Sequence, residues 1–342
     1  MATSRSELNF RSIHARTSPS RGPLAVIINE SVITNLPSFK DFEKVSKECL
    51  IQSFNQLFNI YKKYYEYYED ETINNEVCKE EIWEHHSGTY RTIIILIYQA
   101  IETAMKAEVT KVTPFLLIEK NRNDWPTLPD NSNKDFDSLY TISGESLLNT
   151  FAAVNQSFLT TEKITFIENI RLLRNKAIHG ADNLPTLNVK NLLANILETY
   201  ILFYGKNSWF DDLKEFNLTN PLFGYYDWDI ENIQSFEYLD FVLEIIGKKQ
   251  LNKFTSLEIN GREYFCPHCK HTFDGDYGYL ESKWAFLNPN KPDSTTVECL
   301  NCNIKIIVER TGCLNEECKG NVISKDEELC LTCFEYQKDY YS

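Results

Sequence analysis

Residues 91–108 read RTIIILIYQAIETAMKAE, and this stretch decides the fold class. It is apolar on nearly every face of a helical wheel, with Gln99, Glu102 and Lys106 as the polar exceptions. A helix that is apolar all round is buried, either in a bundle or in a membrane. A membrane span needs about 20 consecutive apolar residues, and no run in the chain reaches that length. The stretch therefore predicts the central helix of a helical bundle, with no membrane attachment.

The segments around this stretch also show helical spacing. Helices are predicted at 42–69, 146–158, 162–179, 187–203 and 236–246, with loops at 121–133 and 182–185. Thr160 or Thr161 can cap the helix that Gly180 ends, and Gly205 ends the next one. Four or five helices with short connections are typical of an up-and-down bundle. Residues 209–238 are aromatic and acidic, and we expect irregular structure with a short helix there.

Composition divides the chain into four parts. We predict a flexible basic tail at 1–40, a helical bundle at 41–206, a helical and irregular connecting subdomain at 207–256, and a tandem zinc ribbon at 257–342. The first 23 residues carry four arginines against one acid, a composition shared by disordered tails and organellar transit peptides. Both interpretations stay open, and the tail is preferred because nothing marks a cleavage site.

Eight of the ten cysteines lie in four short-spaced pairs near the C-terminus. The pairs are Cys266 and Cys269, Cys299 and Cys302, Cys313 and Cys318, and Cys330 and Cys333. Two thiolates spaced by two to four residues can chelate one tetrahedral zinc, and a second pair completes the site. Paired thiols without a secretory signal are typical of metal ligands in a reducing compartment. We therefore expect two structural zinc ions and a cytoplasmic protein.

The order of the pairs leaves two zinc arrangements open. Sequential pairing joins the first two pairs and the last two pairs, and the strand-like stretch 304–310 between them favours it. Interleaved, cross-braced pairing is the alternative. The region 256–342 carries 15 acidic against 9 basic residues, which disfavours phosphate binding. Contact with a protein partner, or stabilisation of a dimer, is the expected role of the ribbons.

Residues 174–180 read RNKAIHG and close a predicted helix. On a wheel at about 100° per residue, Asn175 and His179 share the polar side, whereas Arg174 falls inside the apolar arc. Burying an isolated guanidinium costs several kcal/mol, so Arg174 needs a partner. That partner is Glu102 of the central helix, a ligand phosphate, or a subunit interface. An Arg174–Glu102 pair, with His179 stabilised by the helix C-terminus, would be purely structural.

The segment 174–180, together with the buried stretch 100–106, resembles the HEPN superfamily of helical bundles. The motif of that family is an arginine, commonly followed by a polar residue such as asparagine, four to six positions before a histidine. Arg174, Asn175 and His179 match it here. By helix order the resemblance spans 87–204, but its specific part is the short motif alone.

The resemblance implies metal-independent RNA cleavage by a homodimer, in which two copies of the motif form one composite site. His179 would be the general base or acid for attack of the ribose 2′-hydroxyl on the adjacent phosphate. Arg174 would hold that phosphate, and Asn175 would orient the imidazole or a phosphate oxygen. The product would carry a 2′,3′-cyclic phosphate, and no catalytic metal is expected. By position alone, Arg171 and Lys176 add positive charge.

The sequence leaves more than one function open. The first expectation is an RNA-cleaving toxin or antiviral defence effector. One rival is a non-catalytic interaction module, in which the bundle dimerises and the ribbons recruit a protein. Another is a nucleotide- or nucleic-acid-binding regulator, although the net charge of −14 argues against non-specific nucleic-acid binding. Some family members are silenced by nucleotide transfer to a tyrosine two residues after the histidine. Ala181 stands there, so this control is not expected.

Overall fold

A computed structural model describes residues 33–69, 79–119, 125–126, 133–180, 187–206, 209–219, 228–276 and 281–337. Several predicted features lie outside these ranges: the arginine-rich segment 1–23, most of the loop 121–133, Ala181 and the turn 182–185. The chain divides into two compact units. The described parts of 1–37 and 118–141 belong to one unit, and those of 38–117 and 142–342 to the other.

The described part of the smaller unit contains one short pair of parallel strands. Strand β1 (Ile33–Thr34) pairs with β2 (Lys134–Asp135), with Ile33 opposite Lys134. Asp135 supports the pair, because one of its carboxylate oxygens accepts a hydrogen bond of 2.6 Å from the Asn35 side chain. The same carboxylate caps the 3-10 turn Phe136–Ser138 that follows. None of the predicted site residues lies in this unit.

The larger unit is mainly helical, as the sequence predicts, and ten α-helices lie in the described part of the chain. They are α1 (Phe39–Glu69), α2 (Lys79–His85), α3 (Ser87–Val112), α4 (Gly144–Val154), α5 (Thr161–His179), α6 (Val189–Tyr204), α7 (Trp209–Leu218), α8 (Trp228–Ile246), α9 (Lys248–Phe254) and α10 (Pro267–Asp276). Helix α3 contains the stretch 91–108 and contacts α1, α4, α5 and α6. Its Ile93, Ile97 and Ile101 are fully buried, each worth about 1.5–3 kcal/mol of transfer free energy.

The ends of the helices follow local chemistry. The Thr160 hydroxyl accepts from the backbone N–H of Lys163 and caps α5, as predicted. Helix α6 begins two residues later than predicted because the Asn188 side chain caps it. Gly205 ends α6 at φ 86°, a left-handed conformation that favours glycine. None of the described helices is long and apolar enough to cross a membrane.

The aromatic and acidic segment 209–238 is more helical than predicted. Its first part forms the regular helix α7, in which Trp209 and Leu213 lie one turn apart and are both buried. Its last part belongs to α8, which begins at Trp228 instead of near Phe236. In α7, a buried apolar face therefore stabilises regular structure in a segment whose composition favours irregular structure.

The C-terminal part carries a small antiparallel sheet in the order β3–β4–β5–β6. Its strands are β3 (Ala285–Leu287), β4 (Thr296–Cys299), β5 (Lys305–Glu309) and β6 (Ile323–Ser324). Strand β5 alternates buried and exposed residues, with Ile306 and Val308 directed inwards. It is the strand predicted between the two sets of cysteines. The domain boundaries predicted at 40, 206 and 256 stay predictions.

Candidate functional site

The structure gathers the eight C-terminal cysteines into two groups of four. The first group is Cys266, Cys269, Cys299 and Cys302, and the second is Cys313, Cys318, Cys330 and Cys333. Within each group all four sulfurs lie within 4.8 Å of one another. This is the sequential arrangement, not the cross-braced one. Both groups could hold a metal ion.

The spacing of the sulfurs fits zinc. A tetrahedral zinc ion with Zn–S bonds of about 2.3 Å holds its sulfurs about 3.8 Å apart. Across the first group the Sγ–Sγ distances are 3.6 Å for Cys266–Cys302 and 3.8 Å for Cys269–Cys299. Across the second they are 3.7 Å for Cys313–Cys333 and 3.9 Å for Cys318–Cys330. Four thiolates fill a tetrahedral coordination shell, so such an ion would be structural.

The first cysteine group is joined to the helices through Asn301, which lies between the ligands Cys299 and Cys302. Asn301 is fully buried. Its backbone oxygen accepts from the Lys214 ammonium on α7, and its side-chain oxygen accepts from the Ser235 hydroxyl on α8. Its amide nitrogen lies 3.7 Å from the sulfur of Cys269. One residue therefore ties the cysteine group to two helices.

A second link runs from α8 to the segment just before β3. The Asp240 carboxylate accepts from the Ser282 hydroxyl at 3.1 Å and from the Trp284 indole N–H at 3.2 Å. Burial raises the pKa of Asp240, and the two hydrogen bonds oppose that shift. The links at Asn301 and Asp240 together join the first cysteine group and the segment before β3 to helices α7 and α8.

The second cysteine group is hydrogen-bonded to residues around the first group. The backbone N–H of Phe265 donates to the Leu331 carbonyl at 2.8 Å, and the Lys283 ammonium donates to the Thr332 carbonyl at 3.0 Å. Within the group, the Gln337 amide lies 3.4 Å from the Cys313 sulfur and the Gly320 N–H lies 3.3 Å from the Cys318 sulfur. Hydrogen bonds to sulfur of this kind offset thiolate charge.

The three residues of the RNKAIHG motif lie on the last two turns of α5. Arg174 is half-buried, and its Nη1 donates to the Asn175 side-chain oxygen at 3.0 Å. Its guanidinium carbon lies 5.4 Å from the centre of the Tyr98 ring on α3, within cation–π range. His179 is exposed at the end of the helix. Arg174 and Asn175 therefore form one contact pair, and His179 lies one turn beyond Asn175.

Glu102 is not the partner of Arg174, which corrects the structural pairing considered from the sequence. Its carboxylate accepts a 3.0 Å hydrogen bond from the backbone N–H of Gly144, the first residue of α4. It also accepts from the Tyr98 hydroxyl. A carboxylate is favoured at a helix N-terminus, and Ser143 supplies no side-chain cap there. Glu102 is therefore accommodated in the buried helix α3 by capping the N-terminus of α4.

Tyr98 is a site residue that the sequence did not single out. It is only 5% exposed and lies between the Arg174 guanidinium and the Glu102 carboxylate. Burial, followed by the charge and hydrogen bond of Glu102, raises the pKa of Tyr98 to about 12. Nothing in the sequence distinguishes this tyrosine from an ordinary core aromatic, because its role depends on which helix packs over it.

The two basic residues that the sequence predicted beside the motif, Arg171 and Lys176, differ in their surroundings. Arg171 forms an ion pair with Glu168 on its own helix, at 2.6 Å from Nη2 and 2.8 Å from Nε. That hydrogen bond raises the pKa of Arg171. The positive charge expected from Arg171 is therefore offset locally. Lys176 is exposed at the surface of the same helix.

Gly180 ends α5 in an extended backbone conformation, at a position where a side chain would not fit. Its backbone N–H donates to the Lys176 carbonyl at 2.8 Å. A Cβ at position 180 would lie 2.5 Å from that same carbonyl oxygen. The backbone immediately after His179 is therefore close-packed against the last turn of the helix.

No protein-family model matches the chain, and comparison with curated proteins and with solved structures finds no match. The structure defines the chain as a mainly helical protein with a small C-terminal sheet and two four-cysteine groups.

Proposed function

We propose that the chain is a metal-independent endoribonuclease that acts as a homodimer. In this proposal Arg174 binds the scissile phosphate, Asn175 orients a phosphate oxygen or the imidazole, and His179 moves the proton. Each of the two four-cysteine groups holds a structural zinc ion. Use as a toxin or defence effector belongs to the same proposal and is supported by the resemblance to HEPN domains alone.

The observation that carries the proposal is the surroundings of Arg174. Within the described part of the chain, no carboxylate lies within ion-pair distance of its guanidinium. The Glu102 carboxylate instead accepts from the backbone N–H of Gly144 on α4. Its contacts are a neutral amide and the face of a tyrosine. A half-buried cation with neutral partners retains most of its attraction for an anion, and a phosphate is the anion that an Arg–Asn–His site would select.

The exposed face of α5 supports a dimer. Three large apolar side chains on this helix are exposed: Ile164 at 38%, Leu172 at 50% and Ile178 at 43%. On a wheel at about 100° per residue, all three fall within about 60° of Asn175. A symmetric dimer uses the same patch on both subunits. Packing α5 against its symmetry mate would cover these side chains and bring both motifs together.

A subunit-mixing experiment tests the composite site. Arg174→Ala and His179→Ala proteins are each expected to be inactive on RNA in EDTA. Mixed under conditions that exchange subunits, they should regain measurable cleavage, because a mixed dimer retains one Arg174 and one His179. Initial rates on a labelled RNA, with heterodimer formation followed by native mass spectrometry, provide the measurement. Heterodimers that form without any recovered activity would exclude a site shared between subunits.

A second candidate function, the protein-interaction module, is favoured by one feature of the second ribbon. Leu314 is 70% exposed and Tyr336 is 54% exposed. They are close in the fold, because the Leu314 N–H donates to the side chain of Gln337 at 2.8 Å. Exposed apolar groups beside a four-cysteine group suit contact with a protein. Intact RNA after incubation with a correctly formed dimer would favour this candidate.

A further inference from the structure

Arg91, near the start of α3, is bound to the end of the helix that carries the motif. Its Nη1 donates to the backbone carbonyl of Ala177 and to that of Gly180, at 3.1 Å each. These two carbonyls lie on either side of His179 in the chain. One guanidinium therefore holds the backbone before and after the histidine.

The attachment has a physical reason at each end. The last carbonyls of a helix have no partner within the helix, and a cation is favoured beside them. The backbone N–H of Gly180 donates to the Lys176 carbonyl, and the Arg91 guanidinium donates to the next carbonyl, that of Ala177. On α3, Arg91 directly follows Tyr90, which is 4% exposed, so its backbone position is fixed by the core.

Tyr98 lies seven residues further along α3, two helical turns from Arg91 and on the same face. The centre of its ring lies 5.4 Å from the guanidinium carbon of Arg174. Its hydroxyl donates a hydrogen bond to the Glu102 carboxylate. Helix α3 thus contacts the motif at two places. Arg91 holds the turn at His179, and Tyr98 holds the guanidinium of Arg174.

We propose that Arg91 and Tyr98, both on α3, are positioning residues of the α5 site. Together they fix the distance between the Arg174 guanidinium and the His179 imidazole. This inference rests on the proposed ribonuclease function. Neither side chain needs to touch RNA. Each acts by restricting a group that does, since displacing a reacting group by about 1 Å costs about 100-fold in rate.

The test combines a structural readout with a catalytic one. In Arg91→Gln, hydrogen–deuterium exchange of a peptide covering 174–180 should become faster, because the carbonyls of Ala177 and Gly180 lose the charged guanidinium that joins them, and the neutral glutamine side chain is shorter. Cleavage of a labelled RNA in EDTA should fall in kcat by about 100-fold, with little change in KM. Arg91→Lys, which keeps the charge and a donor nitrogen, should show smaller changes in both exchange and kcat. Tyr98→Leu, which removes the ring, should lower kcat without changing the exchange at Gly180.

Arg262→Gln provides a matched control, because Arg262 is exposed and lies outside the α5 site. It should leave exchange and cleavage unchanged. Unchanged exchange in Arg91→Gln would overturn the attachment itself. Faster exchange with unchanged kcat would overturn the positioning role. A wild-type protein that does not cleave RNA would instead refute the proposed function, and the exchange data would still report whether Arg91 holds the helix end.

Discussion

Replacing His179 with alanine is expected to reduce metal-independent RNA cleavage by at least about 100-fold. A positioned general acid or base contributes about 10²–10⁴-fold, and alanine leaves no group in this place to move the proton. His179 is exposed, so its removal should change the free energy of unfolding by no more than about 0.5 kcal/mol. The measurement is the initial rate on a labelled RNA in EDTA, together with the melting temperature of each protein.

His85→Ala is the matched control for this experiment. His85 is also an exposed histidine at the end of a helix, on α2, and the motif does not include it. The control should cleave RNA at the wild-type rate. Equal losses in the two variants would indicate a non-specific effect, and no loss in His179→Ala would remove the histidine from the mechanism.

Replacing Cys302 with serine is expected to lower the free energy of unfolding more than replacing a cysteine of the second group. Structural zinc binding contributes about 10–16 kcal/mol in small zinc domains, whereas whole proteins are stable by about 5–15 kcal/mol. Cys302 belongs to the group that Asn301 joins to Lys214 and Ser235. Loss of that ion should therefore destabilise α7 and α8 as well as the ribbon. The zinc content should fall from two ions per chain to one, with a large drop in melting temperature.

Two further variants complete this comparison. Cys333→Ser should also remove one zinc ion but lower the melting temperature less, because the contacts of the second group run to residues around the first group, including the ion pair between Glu327 and His271 on α10. Cys49→Ser changes a cysteine outside both groups and should retain two ions. Elemental analysis of the purified proteins and thermal unfolding followed by circular dichroism provide the measurements. A Cys302→Ser protein with two zinc ions would contradict the assignment of ligands.

Local chemistry explains which features the sequence predicts. The continuous apolar stretch 91–108 indicates a buried helix because no polar face is left for water. Thr160 and Gly180 form hydrogen bonds with residues three or four positions away, so the local sequence is enough to predict where α5 begins and ends. Short spacing brings two cysteine sulfurs to one metal, and the strand between the two sets favours sequential grouping.

Contacts between helices account for what the sequence does not predict. The wheel correctly places Arg174 toward the core, but it cannot tell that a tyrosine faces it and that Glu102 is occupied by Gly144. The attachment of Arg91 to the end of α5 joins residues 86 and 89 positions apart. Asn301 resembles any spacer residue between two cysteines, and only the packing of α7 and α8 makes it a link.

The most direct test of the central claim is the chemistry of the RNA ends. Wild-type protein, shown to retain its zinc and its dimeric state in EDTA, is incubated with a labelled RNA, and the new 3′ ends are identified by mass spectrometry. Attack by the ribose 2′-hydroxyl predicts cleavage that leaves 2′,3′-cyclic phosphates. Intact RNA, or new ends with a 3′-hydroxyl, would contradict the account.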